Sequence, residues 1–303
     1  MVSNFIKRMH LTDALCIAYS IFQILYVSIL GARLEHRPKI LITYLICIAV
    51  SFCCIWLRGV FKNNKAVRIS TLLYPLILLI PFYSVSGYEV HMFFNGFFDK
   101  YVINFEFALF TVHPTIWFQN IVSRPLTEWM MFGYSFYLFL LPITTAWLYC
   151  THKSEEWQHL LGALLISFFI CYVIFTLFPV QGPRMAMADH YSVKLQGYLF
   201  QQFVVLLENG AMLHGGAFPS AHCSAATVML VLSYRYDKRL FIMIAPIIIT
   251  LYISTVYGRY HYPTDVIGGI IVGFTGIYLY WPLKRLWENI QQIKFEYARK
   301  SVL

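Results

Sequence analysis

The chain has 303 residues, 59% of them hydrophobic and only 12% charged, with a mean hydropathy of +0.63. A soluble domain carries about 25% charged residues, so half that share leaves too little polar surface to coat a soluble globule. The net charge of +9 invites a nucleic-acid reading, but in so apolar a chain it reads as the positive-inside bias of a membrane protein.

Backbone polar groups must be satisfied inside lipid, and the apolar runs here are long rather than alternating. An all-α, multi-pass membrane protein is therefore expected. Eight spans, each near the ~20 residues a bilayer requires, are expected at roughly 11–31, 40–58, 70–88, 126–149, 158–178, 220–235, 239–257 and 264–283. The first follows Lys7 and Arg8. It is longer than the roughly 7–15-residue apolar region of a signal peptide, so it reads as a retained span. The sixth is the shortest.

With the N-terminus inside, the inner segments hold Lys7, Arg8, Arg58, Lys62, Lys65, Arg68, Lys153, Arg235, Lys238, Arg239, Lys284, Arg285, Lys294, Arg299 and Lys300. The outer segments hold Arg33, Arg37, Lys39, Lys100, Arg124, Arg184, Lys194 and Arg259. Fifteen against eight favours both termini in the cytoplasm. The seven cysteines fall almost wholly inside expected spans and form no spaced ligand set with histidine. They read as small apolar packing residues.

Two stretches outside the spans stand out, both on the outer side in this topology. Residues 89–125 are rich in Phe with scattered Asp99, Lys100, Glu106 and His113, the composition of amphipathic helices at a membrane interface. They would either cover a lipid entrance or form a structural belt. Residues 179–219 open on Phe178-Pro179-Val180-Gln181-Gly182-Pro183-Arg184 and close on Gly215-Gly216-Ala217-Phe218-Pro219-Ser220.

The chemistry gathers at three span ends. In Tyr257-Gly258-Arg259-Tyr260-His261-Tyr262-Pro263-Thr264-Asp265, His261 and Asp265 stand four apart, which puts them on one face of a helical turn. A carboxylate beside an imidazole fixes its tautomer and stabilises the imidazolium. An imidazole so held can attack phosphorus. The structural alternative is that Asp265 caps the helix after Pro263 and His261 is an interfacial histidine. Ser220 is a natural N-cap, so the N–H groups of the following helix would face the loop as an anion site. His222, one turn in, could protonate a leaving oxygen. Arg184 and Arg259 offer guanidinium forks for phosphate, although either alone reads as a snorkelling boundary residue. Ionisable groups of this kind in a membrane chain point to function.

Pro219-Ser220-Ala221-His222 and His261-x-x-x-Asp265 resemble the second and third signature motifs of the phosphatidic acid phosphatase type 2 and haloperoxidase superfamily. Gly216-Ala217-Phe218-Pro219-Ser220-x-His222 and His261-Tyr262-x-x-Asp265-Val266 are most similar to the branch holding inositol phosphorylceramide synthases and sphingomyelin synthases. The resemblance covers roughly residues 120–283. It implies a six-helix catalytic core over 70–283, an N-terminal hairpin over 1–69 and a basic cytoplasmic tail over 284–303. It also implies His261 as nucleophile, Asp265 as its partner, His222 as general acid, and phosphate binding by Ser220, Arg184 and Arg259. No metal and no cofactor are implied. The partner would be a lipid phosphate or phospholipid, with an alcohol acceptor in a transferase.

Two departures bear on the substrate. The first motif normally carries Lys seven residues before its Arg, where this chain has Leu177, and the third carries Arg six residues before its His, where this chain has Thr255. A phosphomonoester carries close to two negative charges and a diester one, so two missing cations suit a diester better. The resulting expectation is a membrane enzyme that cleaves a lipid phosphoester through a phosphohistidine and passes the phospho group to an alcohol or to water. The chemistry would sit on the non-cytoplasmic face. A catalytically inactive lipid-phosphate-binding scaffold would bind without turnover. A transporter would place its polar residues near the midplane within inverted repeats.

Overall fold

The computed structural model describes the backbone of residues 8–151, 154–211 and 214–300. Lys7 and Lys153 of the expected inner cations lie outside the described residues, as do the side chains of Lys294, Arg299 and Lys300. The long helices are α1 (Leu11–Leu30), α2 (Arg37–Val60), α3 (Lys65–Glu89), α4 (Asp99–Phe110), α5 (Arg124–Thr151), α6 (Ser154–Leu177), α7 (Leu199–Ala211), α8 (Ala221–Tyr236), α9 (Lys238–Tyr257) and α10 (Pro263–Lys300). Among the described residues, seven helices are long and apolar enough to cross a membrane. They are α1, α2, α3, α5, α6, α9 and α10, and the chain is an all-α, multi-pass membrane protein.

The sixth expected span, 220–235, is the one that departs from expectation. It forms α8, but its 16 residues cover only about 24 Å, short of a hydrocarbon core of about 30 Å. Burial explains how so short a helix serves. Cys223, Ala225, Ala226, Val228, Met229 and Leu232 of α8 are all 0% exposed, so α8 meets protein rather than lipid. It still joins the two ends of the bundle. Its first turn lies against Asp265, and its last brings the Tyr236 hydroxyl to 2.6 Å from His159 Nδ1. A Cβ at Gly269 or Gly273 of α10 would collide with the carbonyl of Ser220 or Ser224. Glycine there lets the two backbones approach as small residues do in membrane bundles.

Two buried polar clusters fasten the α1–α2 hairpin to α3. At one end Asp13 pairs with Arg58 at 2.7 Å and accepts from Tyr74 Oη at 3.0 Å, while Arg58 also donates to the carbonyl of Thr71. At the other, Glu89 accepts from Tyr44 Oη at 2.9 Å and from Gln23 Nε2 at 3.4 Å. Isolated charges at such depth are costly, and pairing with full hydrogen bonding offsets that cost.

Residues 89–125 combine α4 with single turns over Pro114–Trp117 and Phe118–Ile121. Tyr101, Phe105 and Leu109 of α4 are exposed, whereas Asp99, Val102 and Glu106 are buried. An apolar face toward lipid fits an interfacial helix, but the acidic face points inward. The 179–219 stretch carries α7, whose first turn donates backbone N–H groups of Tyr198, Leu199 and Phe200 to the Glu128 carboxylate, each at 2.6 Å. All of this sits at the end of the bundle where α3, α6 and α9 finish and α5, α8 and α10 begin.

Candidate active site

His261 lies in the tight turn between α9 and α10. The N–H groups of Tyr260 and His261 both donate to the Thr255 carbonyl, at 2.9 and 3.0 Å. That fold-back places Arg259 in the left-handed region at φ +65°. Such a conformation costs a non-glycine residue about 1–2 kcal/mol, offset here by the hydrogen bonds that close the turn. Thr255 itself is buried and its hydroxyl donates to the carbonyl of Tyr252 at 2.8 Å. It therefore fills a packing position and brings no charge to the site.

His261 is 6% exposed. Its Nδ1 lies 2.9 Å from the carbonyl oxygen of Ala217. A carbonyl can only accept, so Nδ1 carries the proton and Nε2 keeps its lone pair. Asp265 Oδ2 stands 3.4 Å from the same Nδ1 while accepting the Tyr262 N–H at 2.8 Å. The expected His–Asp pairing is thus present as a longer contact, with the Ala217 carbonyl as the nearer partner. The capping alternative also holds, since one carboxylate oxygen serves the helix start and the imidazole together. The other oxygen, Oδ1, is buried with no hydrogen-bond partner among the described residues. Burial pushes the His261 imidazole down to about 4, so it is neutral near pH 7.

The PSAH segment closes over this turn. Ser220 is fully buried and its Oγ accepts from the Cys223 N–H at 3.3 Å, the expected N-cap of α8. Its own N–H donates to the Asp265 carbonyl at 2.9 Å. His222 faces His261 with ring centroids 5.9 Å apart and planes at 62°. Tyr134 and Tyr137 of α5 border His222 at 5.4 and 4.9 Å between centroids.

Arg184 and Arg259 are joined through the backbone, Arg184 N–H donating to the Arg259 carbonyl at 2.8 Å. The Arg184 guanidinium lies 5.7 Å from the centre of the Tyr260 ring, which stacks on Tyr134 at 4.3 Å. The Arg259 guanidinium donates to the Val193 carbonyl at 2.6 Å and sits 3.9 Å over the Tyr191 ring. Both line a cavity of about 390 Å³ that also takes in Lys194, Gln201, Tyr191 and Tyr260. Among the described residues the lining holds three cations and no carboxylate. The six residues singled out in the sequence therefore divide into two groups. His222, His261, Asp265 and Ser220 form a compact centre, and the two arginines form the wall of a cationic cavity beside it. Tyr134 and Tyr260 stand between the two.

The residues that sequence reasoning missed come chiefly from α4. Asp99 accepts backbone N–H groups from Gln181 at 2.8 Å and Gly182 at 2.9 Å, and the Tyr262 hydroxyl at 3.0 Å. Glu106 accepts the N–H and hydroxyl of Thr264 at 2.8 and 2.9 Å. Burial raises both carboxyls above their ordinary range, Glu106 to about 7. Two acids of the 89–125 stretch thus hold the loops that carry Arg184 and His261. No local pattern announces this, since Asp99 and Tyr262 are 163 residues apart. A parallel bridge between Val180 and Gly216 completes the frame, and Gly182, at φ +94°, packs on the Tyr260 carbonyl where a Cβ would clash. Among the described residues no three His, Cys, Asp or Glu side chains gather as a metal-binding group.

A family model described as PAP2 superfamily matches residues 100–279. No curated protein and no solved structure matches the chain.

Proposed function

The chain belongs to the PAP2 superfamily and is a phosphatase-type lipid enzyme, and from that premise we propose that His261 cleaves a lipid phosphoester by forming a phosphohistidine. The observation that carries the reading is the 2.9 Å contact from His261 Nδ1 to the Ala217 carbonyl. It leaves Nε2 unprotonated and able to attack, in a ring that burial keeps neutral. Nε2 forms a bond to phosphorus as the bond from phosphorus to the leaving oxygen breaks, and His222, which the anionic phosphate bound beside it favours in the protonated form, gives its proton to that oxygen. The phosphoimidazolium is cationic, and the Asp265 carboxylate at 3.4 Å stabilises the charge that appears there. His222, now neutral, takes a proton from water or an alcohol as that oxygen attacks phosphorus and frees His261. Ser220, Arg184 and Arg259 would hold the phosphate oxygens, with positioning and charge supplying most of the catalysis.

We favour transfer to an alcohol head group, on a diester substrate, as in the inositol phosphorylceramide and sphingomyelin synthase branch. Leu177 and Thr255 remove two cations from the expected motif positions, and a diester carries less charge to balance. The cationic cavity beside the histidines leaves room for a head group as well as a phosphate. The charge bias of the loops supports an active site on the non-cytoplasmic face with both termini in the cytoplasm.

The test offers purified protein and its His261→Ala variant a panel of lipid phosphates and phospholipids in mixed micelles, with and without alcohol acceptors. Products are followed by mass spectrometry. Acceptor-dependent formation of a new phospholipid, lost in the variant, is the expected result. Inorganic phosphate released without an acceptor would make the protein a phosphatase. A variant as active as the wild type would overturn the assignment of His261, and lipid binding without either product would favour the scaffold reading.

A further inference from the structure

At the end of the bundle opposite the histidines, α8 and α10 part around a cleft of about 580 Å³. Ile277 and Trp281 line it with Phe274 and Tyr278, and Arg235 and Arg285 stand at its polar edge. Phe274 is 52% and Tyr278 78% exposed, on a helix long and apolar enough to cross a membrane. Large apolar side chains exposed on such a helix face lipid, so the cleft opens sideways into the bilayer and its natural occupant is a lipid molecule.

The charges select which lipid. Among the described residues no carboxylate lines the cleft. Neither guanidinium stands in an ion pair among the described residues, whereas the adjacent Lys284 pairs with Glu155 at 3.2 Å and Glu288 at 3.7 Å. Glu155 and Glu288 are thus taken by a different cation. Arg235 packs 5.6 Å from the Tyr236 ring, which holds it near the boundary. Guanidinium forks match phosphate oxygens, basic pockets between membrane helices take anionic head groups, and Trp and Tyr are the residues of the membrane interface. The length of α8, 16 residues or about 24 Å, separates this cleft from His222 and His261.

We propose that the cleft binds an anionic phospholipid, its phosphate between Arg235 and Arg285 and an acyl chain along Phe274, Ile277 and Tyr278. This lipid is a bound partner of the fold and not the substrate.

Native mass spectrometry of the full-length protein in detergent, titrated with phosphatidylglycerol or phosphatidylcholine, tests it. Two guanidinium contacts predict a preference of roughly tenfold or more for phosphatidylglycerol. The preference should vanish in R235Q/R285Q and survive in K62Q/K65Q, which removes two exposed lysines elsewhere at the same end. Equal binding of the two lipids by the wild type would overturn the proposal, as would an equal loss in K62Q/K65Q. Displacement of the lipid by millimolar inorganic phosphate would overturn the assignment of a lipid occupant. If R235Q/R285Q does not fold, R235K/R285K keeps the charge without the fork and should bind phosphatidylglycerol more weakly than the wild type. Undiminished binding by R235K/R285K would count against the two arginines.

Discussion

Replacing Asp99 by Ala removes a carboxylate that is 6% exposed and accepts three hydrogen bonds from elements far away in the chain. The Gly182 N–H and the Tyr262 hydroxyl are then buried without acceptors, and the half-buried Gln181 N–H is left to water. A buried donor that loses its partner costs about 1–3 kcal/mol. With the Gln181 contribution discounted, the two remaining donors should cost the variant about 2–6 kcal/mol, a large part of a typical total of 5–15 kcal/mol. The loss falls on the loop before Arg184 and on the residue after His261, and a displacement of about 1 Å at a reacting group costs on the order of a hundredfold in rate. Asp99→Asn keeps one acceptor oxygen and sets an amide against one backbone N–H, so it should fall between the two. The assay pairs thermal unfolding in detergent with turnover of the best substrate from the panel, measured well below the unfolding midpoint. An Ala variant within about 1 kcal/mol of wild type and within roughly threefold in kcat/KM would refute the clamp.

His261→Ala should lower turnover by at least about a thousandfold, and labelling with phosphate-labelled lipid, quenched in alkaline detergent because the P–N bond is acid-labile, should no longer show a phosphohistidine; label persisting in the variant would assign the nucleophile elsewhere. With the folded value of His261 near 4 against an ordinary 6.5, the neutral imidazole persists below pH 6, so the fall in kcat/KM that belongs to His261 should centre near pH 4. Glu106 binds its proton more tightly folded, at about 7, than unfolded, at about 4.5. Its contribution is full below pH 4.5 and is lost as pH rises toward 7, amounting to about 3 kcal/mol. Glu106→Gln keeps the acceptor for Thr264 and should flatten the dependence of the unfolding midpoint on pH between 5 and 7, whereas an unchanged slope would place that titration elsewhere. Gly269→Ala drives a Cβ into the Ser220 carbonyl and the Cys223 side chain, and should cost about 1–3 kcal/mol by overpacking with a drop in kcat; a neutral variant would mean the α8–α10 contact yields easily.

Membrane character and the positions of the long helices were legible in the sequence, because hydrocarbon imposes one requirement on every span and about twenty apolar residues satisfy it. The pairing of His261 with Asp265 and the capping role of Ser220 were legible for a related reason: both rest on helical spacing within a few residues. The depth of α8 was not. Ala221–Tyr236 reads as a marginal span by composition, and only its enclosure by neighbouring helices shows that it is a core helix relieved of the lipid requirement. The nearer partner of His261 was equally hidden, since any residue can present a main-chain carbonyl and the one at Ala217 is 44 positions away. Asp99 and Glu106 look like solvated charges on a Phe-rich segment until the fold sets them against Gly182, Tyr262 and Thr264. The sequence by itself thus determined the solvent the chain must live in and the local chemistry of its motifs. Which backbone groups meet, and which acids hold them there, was decided by the tertiary structure, because contacts between residues more than a hundred positions apart leave no periodic trace in the chain.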